Sequence, residues 1–502
     1  MIILLQHKNP KNNTASLNGE SVRLTGDSVM KQLLNLSHRY PDSWIGWAIE
    51  QGDILDWNYL QEKAVSKNYT VSKGTAPQFL SSGIGYVEDT PFINFKQNQW
   101  YPTWIMSADF GMIHSSVLQQ VNATIFNGNF EYDLNLLTRI LQPQGLFCYA
   151  HLTRTNSSKK ETHLLYKFVA QTKKRGWILF LLMCHVIYDT YFPVLAFTKA
   201  IFKKASHFKA NFKGLQICGH NAPIKTDYDV IIPTMGRASF LKEVLNDLAA
   251  QLMLPEKVVI VEQNEDENST TDLDYLEAEK WPFQVIHKFI HQTGACNARN
   301  LAIAETTATW VLLFDDDNRF DVGLLTRIFN ALQGTSSKVL NMAYLQKGEL
   351  ENQKGYLQWA FFGSGCSIAH REVVENSRFD MALEHGYGED VDYGMQIRNA
   401  GYDIIYAPEI QILHLKAPIG GFRKPKNLPW SDDAAQPKPS PFIMYFRQKN
   451  FSENQLRGYR LIQLLKSYKS LGTKNPVKHY RIFKSQWNSS LQYAEQLHKI
   501  AI

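Results

Sequence analysis

From Tyr228 onward, short β-branched runs alternate with segments of helical period. YDVIIPT (Tyr228–Thr234), KVVIVEQN (Lys257–Asn264), FQVIHKF (Phe283–Phe289) and TWVLLFDDD (Thr309–Asp317) read as buried strands, because a continuous apolar run bounded by turn formers suits a sheet covered on both faces. Between them, SFLKEVLNDLAAQL (Ser239–Leu252) repeats its apolar positions at three- and four-residue spacing, and NARNLAIAET (Asn297–Thr306) is helical. Such alternation predicts an α/β fold with a doubly wound, mostly parallel sheet. Ligands of these sheets bind beyond the carboxyl ends of the strands. Those ends hold Thr234, Glu262 and the run Asp315–Asp317.

The longest apolar stretch, WILFLLMCHVIYDTYFPVLAF (Trp177–Phe197), is flanked by Lys173, Lys174 and Arg175 before it and Lys199, Lys203 and Lys204 after it. Its length suits a membrane span. His185, Asp189, Pro193 and cations at both ends suit instead a buried or membrane-surface helix pair broken near Pro193. The Lys-rich segment 206–227, with Gly214, Gly219 and Pro223, is the expected linker. After Pro425 the chain is Pro-rich and irregular, then helical around Phe442–Leu471 and His479–Ile500, basic and amphipathic enough to pack on a domain or lie on lipid.

The N-terminal half repeats part of the plan. TWIMSADFGMIHSSVL (Thr103–Leu118) reads against QWAFFGSGCSIAHREVV (Gln358–Val374), with His114 opposite His370, and Tyr132–Gly145 reads against Glu389–Gly401. Ser43–Leu60 reads against Thr309–Leu325, but Ile49-Glu50-Gln51 stands where Asp315-Asp316-Asp317 would be. A diverged duplication that kept its fold and lost its acids is the expectation; chance similarity of two α/β halves is the alternative.

Composition narrows the class. The 502 residues predict two to four domains; 44% hydrophobic and 20% charged residues exclude a disordered or polytopic membrane chain. A net charge of +6 is too small for this length to point to nucleic acid. The five cysteines are scattered, without C-x-x-C spacing, which fits a reducing compartment. The start, MIILLQH, lacks a basic n-region and reads as a strand, so a cytoplasmic location is expected.

Three segments carry chemistry. FDDDN (Phe314–Asn318) puts three carboxylates at a strand end. Their repulsion favours a divalent cation, and alternation along an extended segment would aim Asp315 and Asp317 the same way; a solvated acidic turn is the plainer reading. GYGEDVD (Gly386–Asp392) sets Glu389, Asp390 and Asp392 at a helix start, either as a site or as ordinary capping. HQTGACNARN (His291–Asn300) offers a glycine turn into a helix with Arg299, suited to a phosphate or to a structural arginine. His414 lies further on, in ILHLKAP.

Together with VIIPTMGR and FFGSGCSIAHRE, these segments fall in order over residues 228 to about 423 and resemble a family 2 glycosyltransferase of the GT-A fold. The resemblance implies that Pro233, Thr234, Arg237 and Glu262 contact the nucleoside, and Gly294 and Arg299 the nucleotide. It implies that Asp315, with Asp316 beside it, and Asp317 hold ribose and metal–diphosphate, that Asp390 of the Glu389-Asp390 pair is the catalytic base, and that His414 joins Asp315 and Asp317 on Mg²⁺ or Mn²⁺. Glu262 departs from the family's usual Asp, and GGFR (Gly420–Arg423) would belong to a loop closing on the diphosphate.

The implied reaction is metal-dependent, inverting transfer from a nucleoside-diphosphate sugar, UDP-linked, to a saccharide or lipid-linked acceptor in surface polysaccharide synthesis. The rivals are a non-catalytic sugar-nucleotide-binding scaffold and a sugar nucleotidyltransferase. The expected organisation is a diverged, non-catalytic GT-A-like domain at 1–205, a linker at 206–227, the catalytic domain at 228–425 and a helical extension at 426–502. The expected location is the cytoplasm, with peripheral contact on the inner face of the cell membrane.

Overall fold

In a computed structural model, residues 2–6, 13–49, 57–154, 161–212, 223–417, 427–470 and 475–500 are described. Gly420–Arg423, Glu50, Gln51, Cys218 and much of the expected linker lie outside them. The chain forms two compact units: Met1–His220 with Phe451–Gln463, and Asn221–Asn450 with Leu464–Ile502.

The first unit contains strands β1 (Ile2–Gln6), β2 (Thr14–Leu17), β3 (Glu20–Val22), β4 (Trp44–Ala48), β5 (Tyr69–Thr75), β6 (Trp100–Pro102), β7 (Phe110–His114) and β8 (Phe147–Thr153). The second contains β9 (Tyr228–Thr234), β10 (Lys257–Gln263), β11 (Gln284–Ile290), β12 (Trp310–Phe314), β13 (Asn318–Arg319), β14 (Val339–Leu345), β15 (Leu357–Gln358), β16 (Cys366–His370) and β17 (Ile405–His414).

The second unit orders its strands β11-β10-β9-β12-β16-β14-β17-β13, with β15 beside β17. The four strands expected from the sequence are parallel neighbours, while β16 runs antiparallel to both β12 and β14. Val230, Ile231, Val259, Val261, Val311 and Leu313 are fully buried, the outcome expected for strands covered on both faces. Pairing of β12 with β9 stops at Leu313 opposite Ile231. Pro233, with no N–H to give, therefore lies past the last rung on that side, where the strands part and the site opens.

The first unit runs β3-β2-β1-β4-β7-β5-β8-β6. Its central path β1-β4-β7-β5-β8 has the same directions as β9-β12-β16-β14-β17: parallel, antiparallel, antiparallel, parallel. The match extends to side chains. Trp44 pairs across the sheet with His114 and Trp310 with His370, the rings meeting edge-on at 5.2 and 5.0 Å. Each histidine then caps the helix that follows it. The duplication read from the sequence is present in the fold. One edge differs: where β10 and β11 continue the second sheet in parallel, the antiparallel hairpin β2-β3 continues the first.

The long apolar stretch forms two helices, Gly176–Tyr188 and Val194–Ile201, broken before Pro193. No helix among the described residues is long and apolar enough to cross a membrane. The helix expected around Phe442–Leu471 is instead two, Pro441–Asn450 and Glu453–Ser470. Between them Ser452 Oγ accepts from the Gln455 N–H at 3.3 Å, while Gln455 Oε1 accepts from the Ser452 N–H at 2.9 Å. This reciprocal cap at S-x-x-Q restarts the helix. The last helix, Pro476–Ile500, buries Phe483, Trp487 and Ala494.

Leu313 is fully buried within the core of the second unit. Leu313→Ala should cost about 2–5 kcal/mol by removing buried methyl groups and leaving a cavity. Urea unfolding followed by tryptophan fluorescence checks this; an unchanged midpoint would show that the site refills.

Candidate active site

The apolar strand β12 ends at Phe314, and the three acids after it lie in a turn. Strand alternation does not apply to them, and each side chain meets a different set of partners. Asp316, the middle one, is buried. Its carboxylate accepts from the Thr234 hydroxyl at 2.7 Å and from Arg237 Nη1 at 2.8 Å. Burial pushes its pKa up to about 6, although Arg237 and Thr234 pull the other way. Asp316 is thus a clamp joining the ends of β9 and β12.

Asp317 Oδ2 accepts from the Ala417 N–H at 2.8 Å and lies 3.4 Å from Arg237 Nη1. Its Oδ1 is buried without a hydrogen-bond partner, 3.5 Å from His414 Nε2. Burial alone would raise its pKa, but His414, the Ala417 N–H and Arg237 together hold it below the usual carboxylate value. His414 stacks on Tyr344 with ring centroids 4.3 Å apart.

Asp315 faces the opposite partners. Its Oδ1 accepts from Arg299 Nη2 at 3.2 Å and its Oδ2 from the Tyr344 hydroxyl at 3.1 Å. A Cβ on Gly365 would come within 2.2 Å of that Oδ2, so this approach requires glycine. Arg299 is buried, with Nε and Nη1 unpartnered. Burial would lower its pKa; the charges of Asp390, Asp315 and Glu389 raise it. One guanidinium therefore sits in the field of both acid groups.

Glu389 and Asp390 open the helix Glu389–Asn399 after Gly388, whose φ is +116°. Asp390 accepts a hydrogen bond from the Ser364 hydroxyl. Its pKa is raised, first by burial and also by Asp315, against Arg299 and Ser364, which lower it. Burial and the neighbouring Asp390 push Glu389 up to about 7.

Two expected contacts are built differently. The helix Ala295–Ala304, suited by its sequence to a phosphate or to a structural arginine, has a carboxylate at its start. Glu384 accepts from the Cys296 N–H at 2.7 Å and the Asn297 N–H at 3.1 Å. Gly294 donates to Gln263 Oε1 at 2.6 Å, and any Cβ there would overlap Glu384. Gly294 is therefore a packing glycine. Glu262 accepts from Thr271, the Asp272 N–H and His287 Nε2, which hold its pKa low despite burial.

The third acid of GEDVD, Asp392, is fully buried and accepts from Lys449 at 2.9 Å and Asn450 at 2.8 Å. It ties two helices together. Tyr344, Ser364, Gly365 and Glu384 escaped the sequence reading, since each matters only through a partner distant in the chain. Ser364 and Gly365 do lie inside the FFGSGCS segment.

Among the described residues no group of three or more His, Cys, Asp or Glu is gathered for a metal. A smaller donor set does fit a hard cation: the orphaned buried Asp317 Oδ1 and the adjacent His414 imidazole. Asp315, expected beside them, has both oxygens taken by Arg299 and Tyr344. A cavity of about 740 Å³ in this unit, lined by Lys225, Trp310, Lys338 and Arg371 among others, lies at the other end of the parallel strands, away from the acids.

Residues 229–378 match the family model described as glycosyl transferase family 2. No curated protein matches the chain. Among solved structures, S. aureus TarS is similar at 18% identity over 38% of this chain and 36% of its own, with a TM-score of 0.32. The chain thus spans about a third of that protein. The TarS 1–349 fragment in complex with UDP-GlcNAc is 15% identical over 55% of this chain and 84% of its own, with a TM-score of 0.38. A mannosyltransferase from Pyrobaculum calidifontis in complex with GDP-Man and Mn²⁺ is 15% identical over 54% and 84%, with a TM-score of 0.31. The family match takes in Thr234, Arg237, Arg299 and Asp315–Asp317 and stops before Glu389, Asp390 and His414. Residues 229–378 thus form a glycosyl transferase family 2 domain, in a unit preceded by another built on the same central sheet path.

Proposed function

We propose that the second unit transfers a sugar, with inversion, from a nucleoside-diphosphate sugar to a hydroxyl of a saccharide or lipid-linked acceptor, in surface polysaccharide synthesis. A UDP-linked donor is the reading carried from the family resemblance. The observation that supports the chemistry most is Arg299: donor-side Asp315 and the Glu389-Asp390 pair share its charge, so two acid groups far apart in sequence meet in one electrostatic site.

Asp317 and His414 would hold Mg²⁺ or Mn²⁺, which when bound offsets the negative charge growing on the diphosphate as it leaves. Asp390, aimed by Ser364, takes the proton from the acceptor hydroxyl. The hydroxyl oxygen bonds to the anomeric carbon as the bond to the diphosphate breaks on the opposite face. One base and no carboxylate nucleophile lead to inversion. Burial and the Asp315 charge keep Asp390 basic enough to accept that proton, and a positioned base of this kind contributes ~10²–10⁴-fold. Arg237, committed to Asp316 and Asp317, argues against a nucleotidyltransferase, which would turn a cation after the first strand toward pyrophosphate. Retention of the whole acid set argues against a retired scaffold. In the first unit β2-β3 replaces β10-β11, so the strand carrying Glu262 has no parallel counterpart; this supports a non-catalytic role.

A panel of sugar nucleotides with Mn²⁺, read by released nucleoside diphosphate, tests the reading; release of pyrophosphate would replace it with the nucleotidyltransferase. Asp390→Asn should lower kcat ~10²–10⁴-fold while leaving donor Kd nearly unchanged, and Asp317→Ala should abolish transfer. Because the first unit is taken as silent, Asp317→Ala should remove donor turnover by the whole chain; a surviving metal-dependent rate in that variant would show a second active centre. The raised carboxyl pair must lose a proton to act. Hence kcat/KM should climb with pH over a range above the ordinary carboxylate one, because burial and Asp315 hold the Asp390 carboxyl up. A profile flat through that range would exclude Asp390 as the base.

A further inference from the structure

We propose that the helical hairpin of the first unit is a docking face for an anionic lipid bilayer surface, bound peripherally. The helix Gly176–Tyr188 buries Ile178, Leu181, Leu182 and Cys184 against its own unit. Its other side exposes Leu179, Val186 and Ile187, positions that share one helical stripe. The connecting turn exposes Phe192 to 62%, and Val194–Ile201 with its cap exposes Leu195 to 75% and Phe202 to 84%.

The turn that presents these rings is anchored from beneath. The Tyr86 hydroxyl donates to Asp189 at 3.0 Å, His185 Nδ1 and the Tyr166 hydroxyl are 2.9 Å apart, and the Tyr191 N–H donates to the His185 carbonyl at 3.1 Å. Large apolar side chains held outward on a tied hairpin mark an interaction surface.

Charge decides the occupant. Lys174, Arg175, Lys199, Lys203 and Lys204 are exposed around the hairpin, and Asp189 is the single acid between residues 162 and 212. A second copy of the chain would bring cations against cations, and an apolar protein groove would leave them unmatched. An anionic leaflet takes both: rings enter the headgroup boundary while lysines meet the phosphates. Neither helix is long and apolar enough to cross, so the hairpin lies on the surface.

The full chain should float with vesicles of phosphatidylcholine containing phosphatidylglycerol and float weakly with phosphatidylcholine alone, with binding falling as salt rises. Leu195→Glu with Phe202→Glu should reduce partitioning tenfold or more on either lipid; these exposed positions leave the fold intact, checked by circular dichroism and melting. Lys199→Ser, Lys203→Ser and Lys204→Ser together should weaken binding to the anionic vesicles roughly fivefold per cation removed at low salt. Failure of the wild-type chain to bind, equal binding to both vesicles, or an unaffected Leu195/Phe202 variant would overturn the proposal. So would a dimer in sedimentation that this variant dissolves. The readout needs no turnover, so it stands or falls separately from the proposed reaction.

Discussion

Like-charge crowding at the end of one strand governs the site. Five carboxyl groups, Asp315, Asp316, Asp317, Glu389 and Asp390, gather where β12 ends and the helix Glu389–Asn399 begins. Two arginines answer them: Arg237 clamps Asp316 and Asp317, and Arg299 stands between Asp315 and the Glu389-Asp390 pair. Removing so many charges from water is costly unless each finds a partner. Asp316 and the Glu389-Asp390 pair accordingly keep their protons more readily than free carboxyls do. Asp317 is instead held below the usual carboxylate value, with one oxygen lacking a hydrogen-bond partner. The local surplus of negative charge favours a cation at this strand end.

The rest of the second unit supplies the rigidity this crowding demands. Parallel strands buried on both faces fix the origin of the turn, and Gly365 permits a backbone to approach Asp315 as no other residue would. Glu384 closes the start of the helix that carries Arg299, so the guanidinium is aimed by an anchored element.

The two units separate fold from chemistry. Both keep the Trp–His pair across the same two strands, with each histidine capping the next helix. Such contacts belong to packing and survive divergence. The acid run has no counterpart in the matching sequence segment of the first unit, and the β10-β11 edge has none in its sheet path among the described residues. Its outward hairpin shows that a unit without those acids can still offer a surface of its own.

The sequence by itself determined the parallel strands, the helices between them, the duplication and the acids at the strand end. Each rests on local periodicity or on like segments in like order. It also showed that the apolar stretch breaks near Pro193, because proline cannot continue a helix. Only the tertiary structure decided what each acid does. Asp315, Asp316 and Asp317 are chemically identical neighbours, yet one meets Arg299 and Tyr344, one clamps Thr234 to Arg237 and one keeps a buried oxygen without a hydrogen-bond partner, because residues far off in the chain reach them. The same distance effect brings Glu384, 90 positions along the chain from Gly294, to the start of the helix that the sequence read as suited to a phosphate or a structural arginine. Periodicity reports which face of an element is buried; which charge lies across from it depends on how the elements are brought together.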